Sequence, residues 1–405
     1  MVTESSSNTS GGKFRNLYVV IEHIDGKLVP VSLEMLGEAR RLMDDFNQRY
    51  QESERVVAVV LGYKVQDLCQ QLISYGADVV VYAEHKELEY SRNTIDTKVI
   101  AQISRDAGLA KQISPEYIPP YIKPRYMFFS ADSIGRHLSS TVLAELESGL
   151  ASDINKLVIS DIDFRHEHKT KGQTIRYERT LEMYRPDFSG FLWTTILCLD
   201  NKNPEIMRDY HPQGCSIIPG VFNAIEPDIA REGLILQYKP TIDPEDLKVK
   251  VLSKQLLKKK IDFDSHRSIV SMGRGIKEDP EQNVKLIEQF ARLLDAEIGI
   301  SLPLSKRLYQ LSDSINSKYM IPERVIGTSG SKVAPSFYIA TGIHGAVQHI
   351  AGMKESEFVV AINPDENAPI KDESDIFING RMEDVLPIII EELKKLTPIV
   401  SSHME

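Results

Sequence analysis

The chain has 405 residues, 42% apolar and 26% charged, enough to bury the cores of two or three globular domains. Its 48 Lys and Arg against 58 Asp and Glu leave a net charge of −10. That is a poor basis for neutralising nucleic-acid phosphates, so DNA and RNA are set aside as partners. No apolar run approaches the ~20 residues of a membrane span, which excludes direct membrane insertion. Cys69, Cys198 and Cys215 are scattered without CxxC or Cys/His spacing, so neither a zinc site nor a cysteine-ligated iron–sulfur cluster is expected. A reducing cytoplasm is the simplest compartment.

Met1 to Lys13 is rich in Ser, Thr and Gly and reads as a frayed tail, with residues 1–14 outside the first domain. From Leu17 the pattern becomes regular. Leu17–Ile21 is a strand, and Ser32 to Phe46 carries Leu36, Ala39, Leu42, Met43 and Phe46 at helical spacing. Strand Val56–Leu61, helical Val65–Ser74, strand Asp78–Tyr82, strand Tyr126–Phe129 and helical Leu138–Leu150 follow. Strands alternating with helices predict a mainly parallel, doubly wound sheet.

Between Leu157 and Pro240 the runs Lys156–Ile162, Thr174–Met183, Phe191–Leu199 and Leu234–Tyr238 predict an antiparallel edge, making the N-terminal sheet mixed. The stretches Lys86 to Pro124 and His166 to Tyr177 are read as surface loops or a partner contact. Asp243 to Lys260 is read as a connecting helix or linker, its lysines forming a solvated face. The boundary falls near 250, giving domains of residues 15–250 and 251–405.

The second domain opens with strand Arg267–Ser271, turns at Gly273-Arg274-Gly275, and enters a helix near Pro280 with Leu286, Phe290, Leu293 and Leu294 on one face. Strand Glu297–Ser301 leads into Leu302-Pro-Leu-Ser305. Strands Phe337–Thr341 and Phe358–Ile362 then bracket a short helical segment between Gly345 and Gly352, a βαβ step of a parallel, Rossmann-like sheet. A closing helix runs from Met382 to Leu396. Polar Thr328, Ser329, Gln348, His349, Asn363 and Asp375 fall in or beside the connections, where open α/β sheets bind ligands. Gly342-Ile-His-Gly345 is a glycine pair on a βα turn, suited to close approach of a pyrophosphate. Read alone, the same glycines suit an ordinary turn.

The string GTSGxKVAPxxYIAxGIxGAxQHxAGM, followed by VVAINxDxxAPI, resembles the FAD-binding domain of the electron-transfer flavoprotein alpha subunit. The resemblance extends through Tyr126–Arg136, Arg185–Phe191 and Pro219–Phe222 to cover essentially Leu17 to Leu396. It implies FAD as cofactor. Arg274 is then expected beside the flavin, favouring its reduced, anionic form, and Ser301 matches the serine of the family's GxSR. Leu302 stands where that motif has arginine. Thr328, Ser329 and Gly330 match the GQTG loop, whose hydroxyl approaches the flavin N5, and Gln348 and His349 match the QH pair, with His349 near the C2 carbonyl. Gly342, His344, Gly345 and Ala346 match the pyrophosphate turn, with His344 replacing a common serine. Asn363 and Asp375 match the residues that hold the adenosine half.

The resemblance further implies a heterodimer with the family's beta subunit. The chain is then an electron carrier rather than a stand-alone enzyme, taking electrons from dehydrogenases such as the acyl-CoA dehydrogenases of fatty acid beta-oxidation. It passes them to a quinone reductase or another acceptor. Two alternatives stay open: a subunit of a bifurcating complex that oxidises NADH to reduce ferredoxin and a quinone, and a nicotinamide-dependent dehydrogenase. No Ser-His-Asp, paired-carboxylate or metal constellation competes.

Overall fold

The computed structural model describes residues 12–187, 192–255, 261–263 and 265–401. Most of the expected tail, Phe188–Phe191 of the RPDFSGF stretch, and residues 256–260 of the basic run lie outside the described residues. The chain divides into two compact units that meet between Ser253 and Lys254.

In the first unit, β1 (Phe14–Ile21), β2 (Val56–Gly62), β3 (Val79–Glu84) and β4 (Lys123–Ser130) are runs rich in β-branched and aromatic residues, and β5 (Leu150–Ile154) is a shorter strand without that enrichment. After them come β6 (Lys156–Arg165), β7 (Thr174–Asp187), β8 (Leu192–Leu197), β9 (Gln213–Ile217) and β10 (Leu234–Tyr238). The main sheet has seven strands in the order β10-β3-β2-β1-β4-β9-β5, and their pairings are parallel. Along β1, Leu17, Val19 and Ile21 point into one apolar cluster, Tyr18 and Val20 into another. The alternation means that both faces are covered. Helix α1 (Pro30–Tyr50) and α2 (Leu68–Ser74) cover the first face, where Met35, Leu36, Ala39, Leu42, Met43 and Phe46 repeat at helical spacing.

The second face corrects the reading of Lys86 to Pro124 as surface loop. Residues 93–113 form α3 (Asn93–Arg105) and α4 (Ala107–Ile113), and Ile95, Val99 and Ile103 of α3 are buried with Leu109 and Ile113 of α4. Spacing of four places the α3 residues on one face. Asp106 caps α4 by accepting from the Leu109 N–H at 2.8 Å. Helix α5 (Ser133–Glu145) completes this layer.

The antiparallel strands stand in a sheet of their own, order β8-β7-β6; residues 166–173 form the turn that joins β6 to β7, in keeping with a loop, whereas Thr174–Tyr177 is part of β7 and pairs with β6. Buried Tyr177 donates from there to the Asp200 carbonyl at 3.0 Å. β10, expected at an antiparallel edge, instead pairs parallel with β3. The reason lies in the connection from β9, which carries the chain across α1 and α2: the Asp228 N–H donates to the Ser74 carbonyl at 2.9 Å, and Asn223 and Ala224 lie where a Cβ on Gly37 would be. In the described part of the expected connecting helix, residues 243–255, the helical structure is a single 3-10 turn, Pro244–Lys248.

The second unit contains β11 (Ser268–Met272), α6 (Pro280–Leu293), β12 (Glu297–Ile300), β13 (Phe337–Thr341), α7 (Val347–Ile350), β14 (Val359–Asn363), β15 (Ile376–Asn379) and α8 (Met382–Ser401). Its five strands are parallel, in the order β12-β11-β13-β14-β15. Asp279 caps α6 by accepting from the Gln282 N–H at 3.2 Å, with Pro280 at its first turn. Val284 and Ile287 of α6 then share one apolar cluster with Leu386 and Ile390 of α8. The chain leaves β11 to one side for β12 and returns to the other side for β13. This reversal opens a crevice outside the carboxyl ends of β11 and β13. No helix among the described residues is long and apolar enough to cross a membrane.

Candidate functional site: a cleft at the carboxyl ends of the second sheet

A cleft of about 770 Å³ occupies this switch point, within the size range of cofactor sites. Its floor is backbone. The N–H groups of Gly273 and Gly275 donate to the carbonyls of Thr341 and Gly342, both at 3.0 Å. A Cβ on either glycine would overlap Gly342, which itself has φ +59. The turn after β13 is held open from the other side. The Gly342 N–H donates to the Ile362 carbonyl at 2.9 Å, and Asn363 Nδ2 donates to the Ile343 carbonyl at 2.7 Å. Gly345, at φ +96, packs against the backbone of Ile370. Among the described residues, the N–H groups of His344, Gly345 and Ala346 have no hydrogen-bond partner. A row of free N–H donors on a glycine turn suits an anionic group such as a diphosphate. Helix α7 is a single turn, so these amides, and not a macrodipole, supply the attraction.

Arg274 and Lys277 lie on one 3-10 turn after β11 and both line the cleft. With three residues per turn they share a side, which sequence reading missed for Lys277 although the i, i+3 spacing was visible. Tyr309, also missed, donates its hydroxyl to the Arg274 carbonyl at 3.0 Å and so ties this turn to the segment after β12. Ser301 and Leu302 line the cleft at the end of β12, and Leu302 is 40% exposed. The chain continues there in a 3-10 turn, Leu302–Lys306.

Thr328 and Ser329 are exposed on the loop after Val325 and line the cleft. Gly327 lets this loop lie on α7: at φ +143 its ideal Cβ would sit 2.7 Å from the Gln348 carbonyl, to which the Thr328 N–H donates at 2.9 Å. Gly330 does not line the cleft. It closes the turn, donating to the Gly327 carbonyl at 3.0 Å, and a Cβ there would strike Val325. Gln348 and His349 enter from α7, Gln348 exposed and His349 only 5% exposed. Burial pushes the His349 imidazole down to about 4, the Ile326 backbone acting in the opposite sense. Its Nδ1 has no partner of hydrogen-bonding geometry. His344 stands at the rim, its Nδ1 3.8 Å from Asp365.

Asp375 is a correction. Its carboxylate accepts from the Val359 N–H at 2.7 Å and its own N–H donates to the Val359 carbonyl at 2.9 Å. It therefore pins the amino ends of β14 and β15. Asn363 lies at the other end of β14, four residues or roughly 13 Å away at ~3.3 Å per residue. The residues that the sheet does bring to the carboxyl end of β15 are Asn379, Gly380 and Arg381, with the Gly380 N–H donating to the Asn363 carbonyl at 3.2 Å.

The fold and cleft define a class, an α/β chain whose second unit offers a cleft suited to a large phosphate-bearing cofactor at the switch point of a parallel sheet. Residues 17–182 match the model of the electron transfer flavoprotein domain, and residues 262–354 that of the electron transfer flavoprotein FAD-binding domain. The electron transfer flavoprotein subunit alpha of Thermoanaerobacterium thermosaccharolyticum is 32% identical over 95% of this chain and 99% of its own length. The acryloyl-CoA reductase electron transfer subunit beta of Anaerotignum propionicum is 30% identical over 94% and 96%, and Protein FixB of Clostridium saccharobutylicum 31% over 95% and 97%. The chain belongs to the electron transfer flavoprotein alpha-subunit family, and FAD is its cofactor.

The residues present fit that cofactor. The cleft offers the free amides of 344–346 for a diphosphate, two cations at one end and an orphaned, buried imidazole nitrogen.

Proposed function

We propose that this chain is the FAD-carrying subunit of a heterodimer formed with the family's beta subunit, accepting electrons from dehydrogenases such as acyl-CoA dehydrogenases and passing them to a quinone reductase or other acceptor. The carrying observation is the cleft itself, in which backbone donors, Arg274, Lys277 and buried His349 converge. The name of the Anaerotignum relative, an electron transfer subunit of acryloyl-CoA reductase, supports exchange with an enzyme acting on CoA thioesters.

FAD, when bound, supplies reversible one- and two-electron chemistry. The chain's own residues bind and tune it. The amides of His344, Gly345 and Ala346 hold the diphosphate, and Asn363 keeps their turn in place through the Ile343 carbonyl. Thr328 and Ser329 offer hydroxyls from the loop opposite. Arg274 and Lys277 favour whichever state of a bound group carries more negative charge. His349 is neutral at neutral pH in the ligand-free protein, available to donate or accept one hydrogen bond through Nδ1. Nothing in this set needs to act on a second substrate, which supports a carrier over a stand-alone enzyme.

The test is to purify the chain co-expressed with its beta subunit, add an acyl-CoA and its dehydrogenase, and follow the visible flavin band. Bleaching that reverses on adding a quinone reductase and quinone is expected. A complex with FAD that no acyl-CoA dehydrogenase reduces would reject this donor class.

A further inference from the structure

Tyr338 is fully buried on β13 within an apolar cluster that includes Ile269, Ile326, Ala340 and Ile350. A hydroxyl buried there is costly unless it is hydrogen-bonded, so phenylalanine would suit the packing better. The hydroxyl is spent on one group. Its oxygen lies 2.9 Å from Nε2 of His349. Register places Ile269 of β11 opposite Tyr338, so Ser271, two residues on, shares that face. Ser271 is itself fully buried, has no hydrogen-bond partner within the geometric limits, and is near enough to favour the ionised Tyr338, against burial that pushes the phenol well above its usual range.

We infer that Tyr338 is the positioning residue of this site: it commits Nε2 of His349, fixing the ring so that Nδ1 is the nitrogen left for the cofactor. In this assignment the Tyr338 O–H donates to Nε2, and the proton of neutral His349 resides on Nδ1. The buried, orphaned Nδ1–H then donates to an acceptor on the bound group, such as a flavin carbonyl oxygen. Among the described residues no acceptor stands in hydrogen-bonding geometry to Nδ1; the Ile326 backbone is the group near the ring that favours its protonated form. The inference rests on FAD occupying this cleft.

The test uses the alpha–beta complex labelled with 15N-histidine, and a double-mutant cycle on FAD affinity. In the wild-type complex, His349 is expected to show Nδ1 protonated and Nε2 unprotonated, and Tyr338→Phe to mix the two tautomers. Tyr338→Phe should weaken FAD binding about tenfold when His349 is present and less than about twofold in a His349→Ala background, because Tyr338 acts through the histidine. Equal losses in both backgrounds, or an unchanged tautomer in Tyr338→Phe, would overturn the inference. A wild-type complex that binds no FAD overturns the site itself, and shows it before any variant is compared.

Discussion

Gly275 and Gly342 pack backbone against backbone at the floor of the cleft: the Gly275 N–H donates to the Gly342 carbonyl at 3.0 Å, and an ideal Cβ on Gly275 would lie 2.5 Å from the Gly342 Cα. The obstacle is main chain, which cannot rotate away. Gly275→Ala should therefore lower stability by about 1–3 kcal/mol, the usual cost of overpacking, and reduce FAD retention. Thermal unfolding and FAD content after gel filtration check both. An alanine variant with wild-type values would show that the two turns have room to part.

Asn363 and Asp375 sit at opposite ends of β14, and their substitutions should separate accordingly. Asn363→Ala removes the bond to the Ile343 carbonyl and should weaken FAD by about 1–3 kcal/mol. Asp375→Ala removes the acceptor of the Val359 N–H, so the expected cost is about 1 kcal/mol of stability with FAD affinity unchanged. Isothermal titration of FAD into the flavin-stripped complexes reads the difference.

Two buried groups give the stability opposite slopes with pH. Burial pushes Glu22 up from 4.5 to about 8, with Asp132 adding to the effect, while Ser130 donates to its carboxyl oxygen and acts the other way. The folded chain therefore holds a proton on Glu22 that the unfolded chain releases, and this contribution is lost as pH rises from 4.5 through 8. Its full size is on the order of 5 kcal/mol. His349, pushed from 6.5 to about 4, works in reverse: the unfolded chain takes up the proton first, so stability falls as pH drops from 6.5 through 4, by about 3 kcal/mol at most. Glu22→Gln should flatten the alkaline decline alone. Denaturant unfolding of the flavin-free chain at pH 5 and pH 8.5 checks it, and a variant that keeps the wild-type decline would clear Glu22.

Leu302 lines the cleft where an arginine is expected from the family motif, and at 40% exposure a charge placed there is partly screened. Leu302→Arg should still raise the flavin midpoint potential by tens of millivolts, because a nearby cation favours the more negative, reduced cofactor. Arg274→Ala should lower it. Spectroelectrochemical titration at one pH compares the three proteins. A potential unmoved by Leu302→Arg would place residue 302 away from the flavin ring.

Much of this was legible in the chain itself. The glycine turns at 273–275 and 342–345 and the strands before them carry both the sheet and the cleft floor, because a parallel strand ending in glycine leaves few alternatives. What escaped has physical causes. The helix at 93–105 was obscured by the prolines that follow at 115, 119, 120 and 124, although Ile95, Val99 and Ile103 keep helical spacing. Asp375 was placed by motif, yet a residue just before a parallel strand lies at the amino end, away from the cleft. Tyr338 reads only as a strand aromatic, since nothing in local pattern reveals that its hydroxyl meets His349, eleven residues on and in another element.

The central claim is that the second unit's cleft holds FAD, and the most direct measurement is the FAD released by heat from the alpha–beta complex, wild type against Gly345→Val. Gly345 has φ +96 and its Cβ would meet the Ile370 backbone, so the variant distorts the row of free amides while leaving the other cleft residues in place. The expected result is FAD in the wild-type complex and a loss of one equivalent in the variant. Release of FMN, or a folded variant complex that keeps its full FAD content, would contradict the account.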